Sequence, residues 1–138
     1  MDDMKIINVP DGSYSLESKG RTVILTLNGV VDMEIALRSM LDIKILVTQK
    51  KYEHWASLVD LSAWGLHPPE IVEYIKEFHE WAEKNGQLAE AAVVNKSVLK
   101  VMARNKLIQG ARKTVHQEYF EDKAEAIEWL QHLSLFDE

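Results

Sequence analysis

Three residues of this chain stand close enough in sequence to cooperate chemically: Asp60, Ser62 and His67. A carboxylate, a hydroxyl and an imidazole are the parts from which acid–base and nucleophilic chemistry is built. Trp64 lies between them and offers an aromatic surface for an apolar pocket. Their spacing, however, fits no nucleophile elbow, since no Gly-x-Ser-x-Gly occurs. The plain alternative is that Asp60 and Ser62 satisfy backbone groups in a turn. The histidines at His54, His67, His79, His116 and His132 are scattered, and no pair has ligand spacing with a third donor. No metal site is therefore expected. The glycines are spread along the chain without a phosphate loop. The chain has no cysteine, which excludes disulfides, thiolate metal sites and cysteine nucleophiles. The expectation is a protein without catalytic residues and without a cofactor.

Charge is segregated along the chain. Lys96, Lys100, Arg104, Lys106, Arg112 and Lys113 fall in a stretch that holds no Asp or Glu, while the whole chain carries a net charge of -6. Lys100 and Arg104 are one helical turn apart and share a face. They are candidates for a docking surface that meets an acidic partner or a phosphate-bearing head group. Neutralising acids on a neighbouring helix is the plainer role. Glu70, Glu73, Glu77, Glu80 and Glu83 recur at helical spacing and read as a solvated face. The negative balance argues against nucleic acid as a partner. No apolar run approaches the roughly 18 residues of a membrane span. The acidic start, Met1-Asp2-Asp3, is not a signal peptide. A cytoplasmic protein is expected.

The elements that must position these residues are legible from period and punctuation. Trp55 to Leu61 is apolar at most positions and reads as a central strand covered on both faces. Asp60 and Ser62 sit at its carboxyl end, where ligands lie in open α/β sheets. Ser13 to Ser18 and Thr22 to Asn28 alternate about Lys19-Gly20 and read as a hairpin. Asp32 caps a first helix, Met33 to Lys51. At about 100° per residue, Met33, Ala36, Leu37, Met40, Leu41 and Val47 share a face that should pack on the sheet. Ile35 and Leu46 fall opposite and become candidates for a second buried contact, with another element or, by self-association, with another subunit. Tyr74 and Trp81, on the flank of a helix from Pro69 to Asn85, join them. Leu88 to Asn95 reads as a buried strand, Val98 to Gln109 as a helix, and Thr114 to Phe120 as a last strand. A final helix starts at Asp122, and Ser134 to Glu138 should fray.

This pattern resembles the SpoIIAA-like group, stand-alone domains related to STAS domains. The resemblance is carried by the opening hairpin, Val-Asp-Leu-Ser at 59–62, Ala-Ala-Val-Val-Asn-Lys at 91–96 and Tyr-Phe-Glu-Asp-Lys-Ala-Glu-Ala-Ile-Glu-Trp-Leu at 119–130. It implies one α/β domain over 1–138, its core about 13–133. The expected architecture has βα units around one mixed, largely parallel sheet of about five strands, an N-terminal β-hairpin and four main helices. Taken with the missing catalytic constellation and the off-face Ile35 and Leu46, the resemblance points to a non-enzymatic interaction or regulatory module with a protein partner or a second copy. Family members that act as antagonists carry a phosphoacceptor serine at a helix start, where this chain reads His67-Pro68-Pro69-Glu70. A carrier of a small apolar or lipid-like ligand near Trp64 is the alternative.

Overall fold

The computed structural model describes residues 4–9, 12–29, 32–64, 70–97, 99 and 114–136, with 4–9, 64 and 72 by backbone alone. The elements run β1 (Met4–Val9), β2 (Gly12–Lys19), β3 (Thr22–Gly29), α1 (Met33–Lys50), β4 (Trp55–Trp64), α2 (Ile71–Lys84), β5 (Gln87–Val93), β6 (His116–Phe120) and α3 (Lys123–His132). One sheet holds all six strands in the order β1-β2-β3-β4-β5-β6. The first three pair antiparallel, and β3 through β6 pair parallel. The sheet is mixed and largely parallel, as expected. It has one strand more than anticipated, because β1 adds a second antiparallel neighbour to the hairpin.

Each face of the sheet is covered, and strand alternation assigns the residues. Tyr14 and Leu16 of β2, Val23, Leu25 and Leu27 of β3, and Trp55 of β4 pack under α1 and α2. Ile24, Ala56, Leu58, Ala89, Ala91 and Val93 point to the other face, under Ala126 and Leu130 of α3. Alanines at 56, 89 and 91 let α3 approach the strands closely. The three described helices are one fewer than anticipated. The fourth, expected from Val98 to Gln109, lies outside the described residues apart from Leu99, whose N–H donates to Asn95 O at 2.8 Å.

Two local devices lock the layers. Trp55, fully buried, donates its indole N–H to Asn85 O at 2.8 Å, and its backbone N–H reaches Gly86 O at 3.1 Å. This brings the end of α2 against the start of β4. Gly86 holds φ +95°, and a Cβ there would lie 2.1 Å from Glu53 O. Only glycine fits so close an approach at that backbone angle.

The second device corrects an expectation. Residues 134–136 do not fray. Ser134 N bonds Gln131 O and Leu135 N bonds Leu130 O, the paired bonds of a Schellman motif with Ser134 at φ 60°. The motif turns the chain back onto the sheet. Leu135 O then accepts from Arg21 N at 3.0 Å and Thr22 Oγ1 at 2.8 Å, and Leu135 and Phe136 are buried. Apolar character at 135 and 136, rather than position near the end of the sequence, decides their place.

Candidate functional site

Helix α1 carries the most distinctive surface. Asp32 caps it by accepting from Ile35 N at 2.9 Å, and Lys51 closes it in the left-handed conformation. Apolar residues lie almost all around this helix, so its period alone does not choose a face. Two polar anchors do. Tyr14 OH donates to Asp42 Oδ2 at 2.5 Å on the β2 side. On the α2 side, Lys44 Nζ sits 5.6 Å from the Trp81 ring centroid. With these directions fixed, Ile35, Ala36, Ser39, Ile43, Leu46 and Val47 turn to the sheet.

Ile35 and Leu46, expected to project away from the sheet, are therefore core residues and unavailable to a partner. Of the face expected to pack, Ala36 and Val47 are buried, and Met33 and Met40 are partly so. Leu37 and Leu41 instead point outward with Ile45, at 41, 56 and 45% exposure. Their i, i+4, i+8 spacing forms one apolar crest. Tyr74, on neighbouring α2, is exposed as expected. Trp81 is not: it packs against Trp55 and Phe78, with centroids 6.2 and 5.9 Å away.

The carboxyl end of β4 holds Asp60 and Ser62 together. Asp60 Oδ1 accepts from Ser62 N at 3.0 Å and from Ser62 Oγ at 2.6 Å. The ladder to β3 shifts register between Thr26 and Asn28, opposite this turn. The carboxylate thus occupies the amide and hydroxyl of the bulge, which is the backbone-satisfying role. Trp64 pairs with Gly29 at the end of β4 by its backbone. His67, Lys100 and Arg104 lie outside the described residues, as does most of the basic stretch.

A buried polar row was not anticipated. Ser57, Glu90 and Gln117 are direct cross-strand partners on β4, β5 and β6 and share the α2 face. Glu90 is only 8% exposed. It accepts from Ser57 Oγ at 3.4 Å and Gln117 Nε2 at 3.2 Å, and His79 Nε2 of α2 stands 3.8 Å away. Gln87 Nε2 donates to Ser57 Oγ at 2.8 Å. A buried carboxylate requires such donors. The sequence signal was a single Glu in a run of Ala and Val. Among the described residues no group of three His, Asp or Glu is arranged to hold a metal ion. Nor is any helix among them long and apolar enough to cross a membrane.

A mixed sheet in sequential order with helices on both faces is the SpoIIAA-like fold. A solved structure from Shewanella loihica PV-4, an uncharacterized protein of the DUF3478 family with a SpoIIAA-like fold, matches it with a TM-score of 0.61. The match covers 94% of this chain and 93% of that one at 13% identity, a likeness of fold. No family model matches the chain, and no curated protein matches it.

Proposed function

We propose that this protein is a non-enzymatic interaction module that associates with a second copy of itself through the crest of α1. The observation that supports this reading is the exposure of Leu37, Leu41 and Ile45 in one stripe. Scattered exposed aliphatic residues need no explanation, but three aligned on successive turns of one helix form a stripe, the mark of an association surface. Two copies would contribute six aliphatic side chains.

The test is sedimentation equilibrium over about 10 to 500 μM, the range in which a weak dimer forms. Wild-type protein is expected to shift from monomer to dimer. Leu41→Asp places a charge at the centre of the crest and should raise the dissociation constant at least tenfold while leaving the circular dichroism spectrum unchanged. A wild-type monomer throughout the range, or a dimer indifferent to Leu41→Asp, overturns the reading.

A further inference from the structure

We infer that the two copies meet with their α1 helices antiparallel and a two-fold axis passing beside Leu41. This deepens the self-association reading above and rests on it. Three observations carry the geometry. The first is the spacing of the crest. Leu37 and Ile45 lie four residues to either side of Leu41, and Leu41 stands ninth in the 18-residue helix, at its middle. A two-fold interface requires a surface complementary to itself, so that residue i meets j and j meets i. This crest satisfies that rule in one arrangement: Leu41 against Leu41, and Leu37 against Ile45 in both directions.

The second observation is charge. The helix carries Glu34 in its first turn, two turns before Leu41, and Lys51 as its C-cap at the other end. Antiparallel pairing sets the acidic start of each helix beside the basic end of the other and opposes the two helix dipoles. Parallel pairing would set like charges and like dipole ends together. The third concerns Arg38 and Lys44, which come near one another across the axis. Each is already engaged within its own subunit, Arg38 with Glu34 at 3.4 Å and Lys44 over Trp81 at 5.6 Å. Glu34 offsets the Arg38 charge, and the Trp81 ring draws Lys44 toward α2.

The absence of cysteine from the chain makes the arrangement directly testable. Single variants Leu37→Cys, Leu41→Cys and Ile45→Cys are purified reduced and then oxidised at a concentration where the wild type is dimeric. Leu41→Cys is expected to form a disulfide-linked dimer alone. Leu37→Cys and Ile45→Cys are expected to cross-link when mixed and not separately, because each faces the other across the axis. A second variant pair guards against loss of the dimer through the smaller side chain. Glu34→Lys should raise the dissociation constant several-fold, and adding Lys51→Glu in the same chain should restore it. Efficient cross-linking of Leu37→Cys with itself, or no rescue by Lys51→Glu, overturns the antiparallel geometry while leaving self-association intact. A monomer in sedimentation overturns both.

Discussion

Replacing Gly86 by alanine should be among the most damaging single-methyl changes in this protein. The residue lies at φ +95°, and the added Cβ would stand 2.1 Å from Glu53 O and 3.1 Å from Glu53 C. Both are backbone atoms, so no side-chain rotation relieves the contact. Positive φ costs a non-glycine residue roughly 1–2 kcal/mol. Moving the turn aside also weakens the bonds from Trp55 to Gly86 O and Asn85 O, at 3.1 and 2.8 Å. Each contributes about 1 kcal/mol net. The expected loss is about 3–4 kcal/mol, a large part of the roughly 5–15 kcal/mol that holds a domain folded. Urea unfolding followed by tryptophan fluorescence measures it, since Trp55 is fully buried beside Trp81. Gly86→Asn should do no better. Asparagine accepts left-handed backbone, but its Cβ meets the same carbonyl. A loss below about 1 kcal/mol for Gly86→Ala, or a clear rescue by Asn, would refute the steric argument.

Tyr14 gives a pH-dependent expectation. Burial first, then the hydrogen bond and charge of Asp42, push its phenol above the ordinary value, with Arg38 opposing. The native state therefore holds this proton more tightly than the unfolded chain. Its contribution is complete below the ordinary tyrosine value near 10 and is lost as the pH rises beyond it. Unfolding midpoints should fall more steeply in that range for the wild type than for Tyr14→Phe; parallel curves would contradict this. Leu135→Ala should cost about 2–5 kcal/mol, the range for a buried leucine, in the same urea assay. A cost under about 0.5 kcal/mol, typical of surface sites, would return residues 134–136 to the frayed end that their position suggested.

The parts of the fold that could be read from the sequence were those governed by one local rule. The apolar run from Trp55, the alternation about Gly20 and the caps at Asp32 and Asp122 each specify an element without knowledge of its neighbours. The orientation of α1 was not of that kind. Its apolar residues leave several faces acceptable, and the choice comes from Tyr14 and Trp81, which reach it from β2 and α2. The candidate self-association residues Ile35 and Leu46 went to the core for this reason, and Leu37, Leu41 and Ile45 to the surface. The Glu90 row was hidden for a related reason. Its logic is the register of three strands, and Ser57 and Gln117 lie far from Glu90 in sequence. Asp60 and Ser62 were legible as a pair because their bonds span two residues.

Every strand of the sheet lies beside its neighbours in sequence, so a chain emerging from the ribosome can add each one to an edge already formed. The bond between Thr22 and Leu135 breaks that order, joining residues 113 positions apart. The face of the sheet containing Ile24, Ala56 and Leu58 stays without Leu130, Leu135 and Phe136 until long after its first strands have been made. During synthesis the protein therefore passes through a stage in which one face can be finished by α1 and α2 while the other remains bare. The residues that end this exposure follow, by 113 positions, the turn onto which they close.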